Sequence, residues 1–229
     1  GYATPALKPF LTETVAYQPG RHEVLQNLGL TAQLGTPAEA GPQQAPLRYV
    51  LDPAAPAAVE GWTNGPRPLI AFHPGSGAPV KRWPQAQWVA LAEHVVTAHG
   101  ARVILTGAPG DEAEQARTIA GQARVALTVA AGETTLETLA ALYAACDLVV
   151  GPDTGPLHLA VAVGTPTVHL YGPNSPRIFG PWGDPARHHV LTQALACHFC
   201  HRLDWREDEL GHHPCVHGIR LEWVVRAVN

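Results

Sequence analysis

From Arg67 onward, short strand-length apolar runs alternate with longer stretches whose apolar positions recur every three or four residues. The runs Leu69–Phe72, Arg102–Thr106, Val125–Val129, Asp147–Val150 and Thr167–Tyr171 predict strands. The segments Gln85–His99, Asp111–Gln122, Leu136–Ala145 and Pro156–Val163 predict helices. A sheet with one wet face would alternate apolar and polar residues along each strand. These strands are continuously apolar instead, so both faces of their sheet are covered. The pattern predicts a doubly wound parallel sheet of the α/β class, with ligands in the loops that follow the strands. Leu221–Val228 reads as a closing helix.

Before Arg67 the pattern is lost. Proline and glycine recur, and His22–Leu30 is one helical candidate, with Val24, Leu25 and Leu28 on a single face and Gly29 as a stop signal. This stretch predicts a connector over residues 1–66 that packs on a neighbouring domain, followed by one binding domain over 67–229. The carboxylates Glu13, Glu23, Glu39, Asp52 and Glu60 fall in the connector, where no strand–helix frame holds them. The chain contains no methionine, which suggests a piece of a longer protein. No run of about 18 apolar residues is present, and the start lacks the basic-then-apolar shape of a signal peptide.

Composition narrows the function. The 229 residues are 46% hydrophobic, enough to bury a proper core. A net charge of −4 offers no basic field to hold nucleic acid nonspecifically.

Three post-strand loops carry candidate chemistry. The first, His73 to Pro84, contains Gly75, Ser76 and Gly77, then Lys81 and Arg82. Glycines let backbone N–H groups approach an anion, Ser76 adds a hydroxyl, and the two cations add charge. It is neither a Walker A loop nor GxGxxG, and a solvated Gly/Pro turn would have the same composition. The second runs from Gly107 to Glu112. There Asp111 is a plausible helix cap, and Glu112 could accept hydrogen bonds from a ribose. The third, Gly151 to Ala160, places Asp153, Thr154 and Gly155 at a helix start, with Pro156 in the first turn. Free N–H groups and the helix dipole there suit a diphosphate. Asp153 beside such a site is electrostatically odd unless it caps the turn or meets a hydroxyl or a cation. His158 lies one turn on, either facing the same ligand or satisfied in the core.

The segment from Asp153 through Val168 resembles the signature of glycosyltransferase family 9, the lipopolysaccharide heptosyltransferases. The stretch from His73 through Lys81-Arg82-Trp83-Pro84 resembles that family's other C-terminal motif, in matching order and spacing. The resemblance covers residues 67–229. It implies a Rossmann-like domain, the C-terminal half of a GT-B glycosyltransferase, which binds the nucleotide sugar while an N-terminal domain binds the acceptor.

Carried over, the resemblance implies that Ser76, Gly77, Lys81 and Arg82 meet the donor diphosphate and Glu112 the ribose. Asp153 would position the donor, with Thr154, Gly155 and His158 around the phosphates. It further implies ADP-heptose as donor, no required cofactor, and a glycolipid acceptor held by the N-terminal domain. That domain would also carry the general base, so this chain alone would bind donor without transferring sugar. A cytoplasmic location at the inner face of the membrane follows from the same resemblance.

The tail bears Cys197, His198, Cys200 and His201, then Cys215 and His217. Cys197, Cys200, Cys215 and His217 form a candidate zinc set by spacing, against reduced thiols or one disulfide in a surface excursion. Cys146 reads as core packing. Two rival functions are an epimerase-like GT-B domain and a non-catalytic zinc-bearing module. The first would need acid and base groups from a second domain, and the second would leave the His73 and Asp153 loops unexplained.

Overall fold

The computed structural model describes residues 1–2, 6, 8–35, 40–197 and 199–229, with Glu207 described in its backbone only. Glu39 and His198 of the sequence reading lie outside the described residues.

Before residue 67 the chain forms α1 (Glu23–Thr31), α2 (Ala55–Ala58) and α3 (Glu60–Thr63). His22 caps α1, its Nδ1 accepting from the Val24 N–H at 3.2 Å. Then come β1 (Leu69–Phe72), α4 (Gln85–His99), β2 (Arg102–Leu105), α5 (Asp111–Gln122), β3 (Thr128–Val129) and α6 (Leu136–Ala145). They are followed by β4 (Leu148–Pro152), α7 (Gly155–Ala162), β5 (Thr167–Tyr171), α8 (Pro176–Phe179), β6 (His188–Thr192) and α9 (Leu221–Val228). Among the described residues no helix is long and apolar enough to cross a membrane.

The six strands form one sheet in the order β3-β2-β1-β4-β5-β6, every pair parallel. Ile70 stands opposite Val103 on one side and Leu148 on the other. The expected doubly wound α/β sheet is therefore present. Successive strand residues point to opposite faces, and β1 shows both destinations. Ile70 and Phe72 join Trp88, Leu91 and Val95 of α4, with Ile119 of α5 and Val224 of α9. Leu69 and Ala71 join Leu142 and Tyr143 of α6 and Leu157 of α7 on the other face. Ala55 and Val59 are buried in this second cluster, so α2 lies against α6.

Strand order reverses between β1 and β4. In such sheets the gap opened by that reversal, beyond the strand C-termini, is the natural ligand crevice. The loops after β1 and β4 flank it.

Candidate functional site

The loop after β1 is held by its own apolar residues. Val80 and Trp83 are buried, and the Trp83 indole N–H donates to the Ile219 carbonyl at 2.8 Å. A short 3-10 turn, Pro79–Lys81, is pinned by its buried Val80 and turns Lys81 toward the crevice. The Arg82 Nε donates to the Ser76 carbonyl at 3.2 Å, and the Ser76 hydroxyl accepts from the Ala78 N–H at 3.3 Å.

Lys81 reaches across the switch point to the loop after β4. Its Nζ lies 2.8 Å from Asp153 Oδ2 and donates to the Asp153 carbonyl at 2.9 Å. Asn174, after β5, donates through Nδ2 to the same carboxylate oxygen at 2.7 Å. The His158 Nε2 is 3.8 Å from Asp153 Oδ1, longer than a hydrogen bond. Burial disfavours the Asp153 carboxylate, yet His158, Lys81 and Asn174 outweigh it and hold the group well below the usual carboxylate range. The electrostatic oddity of Asp153 thus resolves into a cation partner. The pair fixes a lysine ammonium at the mouth of α7, whose Gly155 N–H has no carbonyl a turn behind it.

Glu112 approaches from the loop after β2. Its Oε2 accepts from the Ala108 N–H at 2.7 Å, and the side chain lies against Gly75. A Cβ built on Gly75 would fall 2.3 Å from Glu112 Cδ, so the absence of a side chain there lets the two loops touch. The sequence reading put the cap of α5 on Asp111. The helix instead begins at Asp111, with Gly110 as its cap at φ 87°, a left-handed conformation that costs glycine little.

Behind Glu112 lies His73, buried at the end of β1. Its Nδ1 is 3.1 Å from the Thr106 hydroxyl, which in turn is 2.9 Å from the Tyr143 hydroxyl. Burial pulls the His73 imidazole down to about 4, against the opposing pull of Glu112, so it is neutral at pH 7. Its Nε2 faces Glu112 Oε2 at 3.8 Å.

These loops enclose a cavity of about 830 Å³. Ser76, Gly77, Lys81, Asp153, Thr154 and Gly155 line one part of it, and Glu112 another. Ala108, Pro109, Leu136 and Leu139 add apolar surface from the loops after β2 and β3. Of the residues expected from sequence, all but two line this cavity. Arg82 turns back onto Ser76, and His158 stands behind Asp153. Sequence reasoning gave no role to His73, Asn174, Leu136, Leu203 or Asp204. A Gly-Pro-Asn run following a strand was the available signal for Asn174.

The tail cysteines differ in burial. Cys197 and Cys200 are exposed, whereas Cys215 is buried with its Sγ 3.9 Å from the Val80 carbonyl. Among the described residues no group of three His, Cys, Asp or Glu side chains is placed to hold a metal ion. The Cys215 thiol packs beneath the Lys81 turn, apart in burial from Cys197 and Cys200. Cys146 is buried among apolar neighbours, and burial pushes its thiol up to about 12.

The model of glycosyltransferase family 9 (heptosyltransferase) matches residues 3–206. The chain belongs to glycosyltransferase family 9. Lipopolysaccharide heptosyltransferase 2 of Escherichia coli (strain K12) is 32% identical over 167 residues, covering 71% of this chain and 46% of that protein. This family 9 chain thus spans about half the length of that curated relative. A glycosyltransferase family 9 structure from Veillonella parvula superposes with a TM-score of 0.72 at 27% identity, covering 83% of this chain and 55% of the other. The structure of E. coli ADP-heptose lps heptosyltransferase II gives a TM-score of 0.65 at 25% identity, covering 80% and 52%. These likenesses agree with a Rossmann-like half of a GT-B glycosyltransferase.

Proposed function

We propose that this chain is the donor-binding part of a lipopolysaccharide heptosyltransferase and takes ADP-heptose. Residues 67–229 form the donor domain in this reading, and residues 1–66 are the connector. The carrying observation is the Lys81–Asp153 pair, fixed at the switch point beside the Gly-rich loop and the start of α7. A single directed ammonium in a partly enclosed crevice is what a departing nucleoside diphosphate needs. Its charge grows as the glycosyl bond breaks, and Lys81 with the Gly155 and Gly77 backbone meets that charge without reorganising. Asp153 sets where the ammonium stands. Glu112 meets the ribose, and the base lies against the apolar surface of Pro109, Leu136 and Leu139.

The acceptor is a lipopolysaccharide-core-type glycolipid, held by a second domain at the inner face of the membrane. The relative named as a lipopolysaccharide heptosyltransferase supports the acceptor class. Titration calorimetry with ADP, UDP and GDP tests the reading. ADP is expected to bind most tightly, and the absence of binding by all three would overturn it.

A further inference from the structure

The Cys/His tail reaches the cavity. Leu203 and Asp204 line it together with Ser76 and Lys81. Leu203 is 39% exposed and Leu136, which lines the same cavity, 58% exposed. Two large apolar side chains turned to water around one cavity suit a ligand that covers them.

The segment carrying Leu203 is braced. Arg202 Nε donates to Asp204 Oδ1 at 2.8 Å, and the Arg202 guanidinium lies 3.6 Å from the centre of the Trp205 ring. Trp205 stacks in turn on His213, their ring centres 3.3 Å apart. Upstream, the His201 N–H donates to the Pro173 carbonyl at 2.9 Å, which ties the segment to the loop after β5. Downstream, buried Cys215 and Val216 pack against Gly172 of that same loop. A lone Asp204 would repel a diphosphate, and Arg202 offsets its charge at contact distance.

We propose that Arg202–Trp205 is the outer wall of the nucleotide site, with Leu203 packing on the bound nucleoside diphosphate. The inference rests on the donor-site reading of this cavity. It assigns the tail a part in ligand affinity that its cysteines had suggested only as metal chemistry.

The experiment measures ADP affinity and amide hydrogen exchange, with and without saturating ADP, in the parent chain and in Leu203→Ser, Trp205→Ala and Lys81→Ala. ADP is expected to slow exchange across residues 201–206. Leu203→Ser should weaken ADP about fivefold through lost apolar contact, with the melting temperature of the free protein unchanged. Trp205→Ala should weaken ADP as well, by releasing the brace. Parent-like ADP affinity in both variants and unchanged exchange at 201–206, with Lys81→Ala still weakening ADP, overturns the wall and leaves the donor reading standing. If the parent binds no ADP, the donor reading itself falls and the wall with it.

Discussion

Lys81 is the residue on which the proposed site turns, because the proposal gives it two anions. It neutralises buried Asp153, and in the donor-site proposal it also meets the diphosphate. Lys81→Ala is expected to weaken ADP by about 1.5–3 kcal/mol, the range for a charge-assisted contact, as read by calorimetry. Added salt should weaken ADP binding to the parent more than to the variant. Lys81 and Asp153 were legible in the sequence because each follows a strand in a glycine-marked loop. Asn174, His73 and Tyr143 were not. Their roles arise from contacts between residues 21 to 70 positions apart that only the sheet brings together.

The buried imidazoles carry a second consequence at this scale. His169 on β5 is fully buried, its Nε2 2.8 Å from the Thr167 hydroxyl, and burial pulls it down to about 3. An unfolded histidine titrates near 6.5. Between those values the unfolded chain binds the proton and the folded one does not, so stability falls as pH drops through that window. His73, held near 4, adds to the loss over the upper part of the same window. Asp153 adds to it at lower pH, since a depressed carboxyl loses its contribution as pH falls below the ordinary aspartate range. His169→Leu keeps the Thr167 hydroxyl paired with His188. The variant is expected to lose less stability than the parent between pH 7 and pH 4.5, measured by denaturant midpoint. An identical acid slope in both would mean that His169 does not titrate as its burial requires.

Among the elements, two glycines separate site geometry from fold stability. A Cβ on Gly151 of β4 would fall 2.4 Å from Leu157 Cδ2 and 3.0 Å from the His73 carbonyl, a packed helix residue and a fixed backbone atom. Gly151→Ala is therefore expected to destabilise the fold by about 1–3 kcal/mol, seen as a lowered melting temperature. The atoms nearest a Cβ on Gly75 are Cγ, Cδ and Oε2 of the Glu112 side chain, which can swing aside. Gly75→Ala should keep the parent's melting temperature but weaken ADP, because Glu112 is pushed from its place by Ala108. Equal losses of stability in the two variants would show that Glu112 is as fixed as the backbone.

The buried strands β1, β2, β4 and β5 and the helices α4 to α7 were legible because short continuous apolar runs alternate with longer helix-length stretches. β6 was missed. Its sequence, His188-His189-Val190-Leu191-Thr192, has two apolar residues in five and forms the sheet edge, where only one neighbour constrains it. β3, at the opposite edge, was read from Val125 but pairs only at Thr128–Val129. The four-residue helices α2, α3 and α8 are too short to show a period, and each contains or adjoins proline or glycine.

For the whole molecule, binding and transfer call for different groups. Binding needs the post-strand loops of one sheet, and these converge on a single cavity. Transfer also needs a base within hydrogen-bond reach of the acceptor hydroxyl and a wall that excludes water. Three carboxylates line the cavity among the described residues, and each is engaged: Asp153 by Lys81 and Asn174, Glu112 by the Ala108 N–H, and Asp204 by Arg202. A carboxylate held below its usual pKa by a lysine is a poor proton acceptor, since its conjugate acid forms only at very low pH. These 229 residues are therefore expected to gain melting temperature with ADP by mass action and to show no acceptor-dependent release of ADP. The assay incubates the chain with ADP-heptose and a lipid A–Kdo acceptor and follows free ADP. Sustained turnover that requires acceptor would place the base within this chain. Glu112 would then be the first residue to test, because a swing away from Ala108 would free its carboxylate inside the cavity.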